Sequence, residues 1–131
     1  MDYLDVRRGM IEDRLAAVLD RVEPTELAEQ VAHVALSGGK RVRPTVTILT
    51  CETVGGSPDD AIDFAAGIEL VHNASLVIDD IIDESAVRRS HKSAWAAFGH
   101  GPAVVTSDGL IGEAFALFSP NSRAMERVAD A

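Results

Sequence analysis

Three aspartates, Asp79, Asp80 and Asp83, interrupt a stretch of apolar residues and are the side chains of this sequence best suited to chemistry. A carboxylate without a partner in apolar surroundings costs on the order of several kcal/mol or is forced to protonate. A cation between the carboxylates removes that cost, and Mg²⁺, which prefers oxygen ligands, is the first candidate. The alternative interpretation is a solvated acidic end of a helix, which would oppose the helix macrodipole.

Helical spacing separates the three aspartates into two directions. Residues four apart share a face of a helix, so Asp79 and Asp83 project side by side. Asp80 follows directly after Asp79 and is turned about 100° away. Two carboxylates on one face can hold one or two Mg²⁺ ions, which usually keep several waters and bind phosphate oxygens of a substrate.

Half of the 12 basic residues fall in two short windows of this acidic chain. They are Lys40, Arg41 and Arg43 in the first window, and Arg88, Arg89 and Lys92 in the second. Arginine forks match phosphate oxygens, lysine adds a point charge, and glycines ahead of a helix let the backbone approach an anion. Each window alone fits surface ion pairing equally well. Both windows together with the aspartates favour a phosphate-rich ligand, although the spacing of a P-loop is absent.

His72 lies two helical turns before Asp79 on the same face and could donate a hydrogen bond to a phosphate oxygen. A single histidine on an apolar helix is, however, more often a satisfied core residue than a ligand. The other histidines lack metal-ligand spacing, and no serine has the partners of a hydrolase triad. Asp108 is interpreted as a cap or first-turn residue of a later helix.

The elements that position these side chains are predicted to be helices, because apolar residues recur at helical spacing nearly throughout. We therefore expect an all-α fold of about six helices in a single domain over residues 1–131. Glycines, prolines and capping residues set the boundaries. The predicted helices span residues 3–22, 26–36, 44–54, 58–84, 102–118 and 119–131, with a short helix at 94–98 in an otherwise irregular segment.

The composition limits the classes of function. The chain has 131 residues, 47% of them apolar and 5% aromatic, and a net charge of −9. This acidity disfavours general binding of nucleic acid and is typical of haloarchaeal proteins. Cys51 is the single cysteine, which excludes an internal disulfide and suits a reducing cytoplasm. No run of about 18 apolar residues occurs, so we expect a cytoplasmic protein without a transmembrane segment or signal peptide.

Three segments of the sequence together resemble the trans-isoprenyl diphosphate synthases, the polyprenyl synthetases that include farnesyl and geranylgeranyl diphosphate synthases. These segments are Gly39-Lys40-Arg41-Val42-Arg43-Pro44, the run from His72 to Asp83, and Arg88-Arg89. The resemblance extends over residues 27–118. It implies the N-terminal half of the isoprenoid synthase helical bundle and a Mg²⁺-dependent prenyltransferase of isoprenoid biosynthesis.

The resemblance also implies roles for individual residues. Mg²⁺ would bind Asp79, Asp80 and Asp83, with Asp79 and Asp83 as the main ligands. Isopentenyl diphosphate would bind Lys40, Arg43, His72 and Arg89. Arg88 would contact the allylic diphosphate, so the catalytic residues would be Asp79, Asp83 and Arg88, which help this diphosphate to leave.

Product length in this family depends on side-chain bulk one or two turns before the first aspartate. Val71 is of medium size, and Ala74 and Ser75 are small. The resemblance therefore implies an open pocket and a geranylgeranyl (C20) or longer product rather than a farnesyl product.

Two departures from the family pattern affect these expectations. Ser90 stands where a glycine usually follows the arginine pair, which predicts a strained or reshaped loop. The second aspartate-rich motif of the family is also missing from this sequence. Three interpretations stay open, all compatible with a homo- or hetero-oligomer: a prenyltransferase component that needs a partner or a C-terminal half, a non-catalytic regulatory subunit of a full-length synthase, and an inactive truncated remnant.

Overall fold

A computed structural model describes residues 2–130 of the chain and contains seven α-helices and one two-stranded hairpin in that range. The helices are α1 (Tyr3–Leu19), α2 (Thr25–Ala35), α3 (Val42–Thr53), α4 (Pro58–Ile82), α5 (Ala94–Phe98), α6 (His100–Phe118) and α7 (Ser122–Ala129). The strands are β1 (Val87–Arg88) and β2 (His91–Lys92), which pair antiparallel. The all-α prediction is confirmed.

Helix α4 is the central element, and it packs mainly along α6 and α3. Its start is set by the sequence Ser57-Pro58-Asp59-Asp60, because proline suits the first helical turn. The Ser57 N–H donates to Asp60 Oδ2 at 2.9 Å, which is one half of a capping box. Small residues on α4, among them Ala65, Ala66 and Ala74, are buried where the neighbouring helices approach.

Gly67 on α4 lies against a side chain at the C-terminal end of α6. A Cβ atom at this position would overlap with the ring of Phe118, which is 1% exposed. A second link lies further along α4, where the hydroxyl of Ser107 donates to the Ala74 carbonyl at 3.1 Å. These contacts hold α4 and α6 in fixed register, so the aspartates at the end of α4 have a rigid base.

Most predicted helices match the structure, and the differences lie at their ends. Helix α1 ends at Leu19 rather than at residue 22, although Val22 still packs in the core. The last helix begins at Ser122 rather than at residue 119, because the Asn121 side chain accepts a hydrogen bond from the Ala124 N–H and so caps it. Its predicted final residue, Ala131, lies outside the described residues.

The segment predicted to be irregular contains the hairpin β1–β2. Its two-residue turn is Arg89-Ser90, and both residues have positive φ, 51° and 65°. Such a turn matches the twist of the strands but favours glycine and asparagine, because side chains are strained in the left-handed region. The expected strain at Ser90 is thus present, and the turn nonetheless closes.

Helix α4 is long and apolar enough to cross a membrane by length and composition. Half of its most apolar window is buried inside the fold, where α3 and α6 cover it. A central core helix satisfies the same criteria.

Candidate functional site

Asp79 and Asp83 lie on the open side of α4, whereas Asp80 points into the fold. Asp79 and Asp83 are both exposed, and Asp80 is 3% exposed. This division follows the helical period that separates neighbouring residues by about 100°. Val71 and Ser75 precede Asp79 at intervals of four, so the four residues form one stripe along α4.

The carboxylate of Asp80 accepts hydrogen bonds from an arginine of the hairpin. The Nε and Nη2 atoms of Arg88 donate to Oδ2 and Oδ1 of Asp80 at 2.8 and 2.7 Å. This hydrogen-bonded pair raises the pKa of Arg88, with a further contribution from the nearby charge of Asp79. The predicted Mg²⁺ ligand Asp80 therefore serves as the anchor of Arg88, and the guanidinium of Arg88 is held beside the two exposed carboxylates.

The exposed carboxylates fit a hard divalent cation in their chemistry. Asp79 and Asp83 are oxygen donors one helical turn apart, and within residues 2–130 neither forms a salt bridge. No group of three or more histidine, cysteine, aspartate or glutamate side chains in that same range converges to enclose an ion. Two carboxylates suit Mg²⁺ when water and phosphate oxygens complete the coordination.

Residues of both cationic windows line one open pocket of about 510 Å³, which we call the anion pocket. Of the arginine pair, Arg89 lines this pocket and Arg88 does not. Its lining residues are Gly39, Lys40, Arg41, Val42, Arg43, Glu69, His72 and Arg89. All four residues predicted to bind isopentenyl diphosphate are among them. Lys92 lies apart from this pocket, in the strand β2.

Glycines allow Arg89 to reach the first cationic window. The Nη1 atom of Arg89 donates to the Gly38 carbonyl at 2.8 Å. A Cβ atom on Gly39 would lie 2.9 Å from the guanidinium carbon of Arg89, and Gly39 has a φ of 123°. Any larger residue at Gly39 would be strained and would displace the guanidinium.

His72 accepts a hydrogen bond from Arg43, and its side chain is half-buried rather than fully enclosed in the core. The Nη1 atom of Arg43 lies 3.2 Å from Nε2 of His72. Burial lowers the pKa of His72, and the charges of Arg43, Arg89 and Arg88 lower it further. The imidazole is thus neutral near pH 7, with Nε2 as the acceptor.

Two buried polar residues of α4 escaped the sequence reasoning. Glu69 is 3% exposed, and burial raises the pKa of its carboxyl although Arg41, Arg89 and Arg43 act in the opposite direction. Asn73 is 1% exposed, and neither its Oδ1 nor its Nδ2 has a partner among the described residues. Asn73 follows Glu69 by four residues and precedes Asp80 by seven. This helical spacing is the signal that could have identified the buried polar stripe from the sequence.

The base of the hairpin is fixed by several hydrogen bonds to its backbone. The Ser85 carbonyl accepts from the hydroxyl of Ser93 at 2.7 Å and from Nε1 of Trp95 at 2.8 Å. The ring of His33 on α2 donates to the Lys92 carbonyl at 2.8 Å. These contacts orient the turn that carries Arg88 and Arg89.

The three residues expected to set product length lie on two sides of α4. Ser75 is exposed on the stripe of Asp79, and its hydroxyl donates to the His72 carbonyl at 2.6 Å. Val71 is partly buried on the same stripe. Ala74 is 1% exposed in the contact with α6.

Comparisons with known proteins identify relatives over most of the chain. The sequence model of the polyprenyl synthetase family matches residues 24–131. A geranylgeranyl pyrophosphate synthase of Geoglobus acetivorans is 36% identical over 122 residues, which cover 93% of this chain and 38% of that protein. A heterodimeric geranylgeranyl pyrophosphate synthase large subunit of Arabidopsis thaliana is 33% identical over 117 residues, covering 88% of this chain and 32% of that protein.

Solved structures share the fold over nearly the whole chain. A geranylgeranyl pyrophosphate synthetase from Geoglobus acetivorans superposes with a TM-score of 0.93 at 34% identity, over 98% of this chain and 44% of that one. The chain spans little more than a third of the length of the curated relatives it matches.

Proposed function

The chain belongs to the polyprenyl synthetase family, and on that basis we propose that it carries substrate-binding and catalytic groups of a prenyltransferase. The reaction is the condensation of isopentenyl diphosphate with an allylic diphosphate, as in a geranylgeranyl diphosphate synthase. In this reaction the allylic carbon–oxygen bond breaks, diphosphate leaves with the bonding electrons, and the isopentenyl double bond attacks the resulting carbocation. The new tertiary cation then loses a proton to the departed diphosphate, which restores a double bond in the product.

The observation that carries the proposal is the placement of two consecutive arginines at two different sites. Arg88 is anchored by Asp80 beside the carboxylates of Asp79 and Asp83. Arg89 lines the anion pocket with Lys40 and Arg43. One hairpin thus joins a cation-binding edge to an anion-binding pocket, which is the arrangement that two diphosphate substrates require.

The residues divide between the two substrates. Lys40, Arg43, His72 and Arg89 bind the diphosphate of isopentenyl diphosphate, and the guanidinium groups supply paired donors to its oxygens. Arg88 contacts the allylic diphosphate, and Asp79 and Asp83 would hold the Mg²⁺ that this substrate requires. Bound Mg²⁺ supplies positive charge that stabilises the departing diphosphate. Asp80 has a positioning role, because its carboxylate fixes the direction of Arg88.

The open stripe before Asp79 supports a long product. Ser75, one turn before Asp79, is small and exposed. Val71, a further turn back, is of medium size. A geranylgeranyl or longer chain is therefore favoured over farnesyl.

The second candidate function is that of a subunit that works with another synthase chain. A relative named as the large subunit of a heterodimeric synthase favours association with a second chain in this family. A homo- or hetero-oligomer is accordingly proposed for this chain. A purely regulatory subunit would not require the anion pocket, so the presence of that pocket favours the catalytic assignment.

The first experiment compares the only two lysines of the chain. Titration calorimetry with isopentenyl diphosphate is expected to show binding that Lys40→Gln weakens by about tenfold, a typical loss for one charged contact to a phosphate. Lys92→Gln removes the same charge outside the anion pocket and should leave the affinity within about twofold. Absence of binding to the unmodified chain, or equal losses in both variants, would contradict the proposed site.

The second experiment tests turnover. The chain is incubated with labelled isopentenyl diphosphate, an allylic diphosphate and Mg²⁺, alone and with a synthase chain encoded nearby that carries a second aspartate-rich motif. Labelled prenyl diphosphate should form in an active assembly and should be lost in Asp79→Ala and Asp83→Ala variants. Isopentenyl diphosphate binding without turnover in any assembly would favour the regulatory subunit.

A further inference from the structure

Arg41 differs from its cationic neighbours because it turns inward. Its side chain is 1% exposed, whereas Lys40 and Arg43 on either side are exposed. Its backbone has a φ of 54°, in the left-handed region that disfavours residues with a Cβ atom. A buried guanidinium on a strained backbone persists only when the surrounding structure fixes it.

Two elements supply that fixation. From α1, Glu12 accepts from Nε of Arg41 at 2.5 Å and from Nη2 at 3.2 Å. From the end of α2, the Ala35 carbonyl accepts from Nη2 at 2.6 Å. The remaining Nη1 atom is buried and has no hydrogen-bond partner in the part of the chain described here. The carboxylate of Glu12 is thus the compensating charge that directly contacts Arg41.

The same turn carries the groups that face the anion pocket. Lys40 precedes Arg41, Arg43 follows two residues later, and Arg89 is hydrogen-bonded to the Gly38 carbonyl. The backbone of Arg41 is in the left-handed region and its side chain points inward. The side chains of its neighbours Lys40 and Arg43 are therefore directed outward toward the pocket. A change in the Arg41 backbone would therefore move three of the cations relative to one another.

We infer that Glu12 and Arg41 form a clamp that positions the cations of the anion pocket, with Arg41 as a positioning residue held by a carboxylate that does not line the pocket. Glu12 belongs to α1, which precedes the segment 24–131 matched by the family model. The role rests on the proposed binding of diphosphate. Helix α1 would then contribute to substrate affinity, although its residue Glu12 is negatively charged and does not line the pocket.

Helix α1 contains a matched control. Arg7 on α1 pairs with Glu52 on α3 through two hydrogen bonds, at 2.8 and 2.9 Å, and Glu52 lies outside the anion pocket. Glu12→Gln and Glu52→Gln each remove the carboxylate from an arginine–glutamate pair that includes one residue of α1. In each pair the arginine donates two hydrogen bonds to that carboxylate. Glu12→Gln should cost more stability than Glu52→Gln, because Arg41 is more deeply buried than Arg7, and only Glu12→Gln should change ligand affinity.

The experiment is titration calorimetry with inorganic pyrophosphate in EDTA, which isolates the cationic pocket from the aspartates. Glu12→Gln is expected to bind pyrophosphate about tenfold more weakly than the unmodified chain, because small displacements of binding groups are costly. Glu52→Gln should stay within about twofold. Glu12→Asp and Glu52→Asp, which keep the charge but shorten the side chain, provide the same comparison if the glutamine variants do not fold.

The outcomes separate the two proposals. Equal affinities in the Glu12 and Glu52 variants would overturn the clamp and leave the anion pocket intact. Failure of the unmodified chain to bind pyrophosphate would overturn the proposed function and the clamp with it. Weaker binding in the Glu12 variant alone, with both variants shown by their melting curves to be folded at the temperature of the titration, supports the positioning role.

Discussion

Asp80 and Arg88 meet through two parallel hydrogen bonds, so the middle carboxylate of the aspartate motif faces a cation of the protein itself. The carboxylate is nearly buried, and the guanidinium is about one-third exposed. The pair therefore divides the motif into one structural and two exposed carboxylates. This division leads to a direct test.

Asp80→Asn is expected to destabilise the fold by about 1–3 kcal/mol, because it leaves Arg88 half-buried without its counter-charge. Asp79→Asn removes an exposed carboxylate and should change the free energy of unfolding by less than about 0.5 kcal/mol. Urea denaturation of the two variants measures both values. Mg²⁺-dependent binding of pyrophosphate should be lost in Asp79→Asn. Equal stability of the two variants would contradict the anchoring role of Asp80.

The depressed pKa of His72 predicts a loss of stability on acidification. The unfolded chain takes up a proton near pH 6.5, whereas folded His72 resists protonation until lower pH. Between those values the unfolded state binds more protons, so the free energy of unfolding falls as pH decreases below about 6.5.

Nuclear magnetic resonance titration of the His72 ring gives its pKa directly. Addition of pyrophosphate should raise that pKa, because an anion in the pocket offsets Arg43 and Arg89. His33, which is outside the anion pocket, provides the internal comparison. An upward shift of equal size at both rings would show that the anion acts elsewhere.

The raised pKa of Glu69 has the opposite effect to His72 on how stability changes with pH. Burial raises its folded-state pKa above the ordinary value of 4.5, so its contribution to stability is fully present below that pH and is lost as pH rises through the folded-state pKa. Glu69→Gln should therefore be more stable than the unmodified chain at pH 7, with no such gain below pH of about 4. Thermal unfolding across pH measures this difference. A destabilised Glu69→Gln at neutral pH would indicate that its attraction to Arg41 outweighs burial.

The hairpin turn offers a stabilising substitution. Ser90 has a φ of 65°, so Ser90→Gly should raise the free energy of unfolding by about 0.5–1 kcal/mol after the added entropy of the unfolded chain is subtracted. Ser90→Ala keeps the strain and should bring no gain. Chemical denaturation compares the two, and equal stability would contradict a strained turn.

Gly67 and Gly112 make opposite predictions for the same substitution in a helix. Gly67→Ala should destabilise the fold by about 1–3 kcal/mol, because the new methyl group collides with Phe118. Gly112 on α6 has open space where its Cβ would lie, so Gly112→Ala should stabilise by about 0.5–1 kcal/mol. Melting curves of both variants are the measurement. A stable Gly67→Ala would mean that α4 and α6 can separate without cost.

The helices were predictable because their signals are local. The apolar period, Pro58 after Ser57, and the glycine breaks fix most element bounds within a few residues. The hairpin was not predicted, since its strands are only two residues long and its turn lacks the usual glycine. Local patterns thus describe the scaffold better than its connections.

The direction of each charged side chain was harder to foresee than its presence in the site. Arg41 and Lys40 are neighbours of similar charge, yet Glu12, 29 residues earlier, draws one of them inward. Asp80 is distinguished from Asp79 by the helical period, but only its distance to Arg88 shows what it binds. Such assignments depend on partners brought together by the fold, and no short sequence window contains them.

Arg88 and Arg89 are consecutive residues on a hairpin whose base is fixed at the Ser85 carbonyl, and this has a thermodynamic consequence. A ligand that shifts the backbone of one of these arginines also shifts the backbone of the other. We expect the affinities of the aspartate edge and the anion pocket to be linked by a coupling free energy, and linkage requires that each ligand change the affinity of the other by the same factor. Binding of either substrate would then change the affinity for the other through the backbone that Arg88 and Arg89 share.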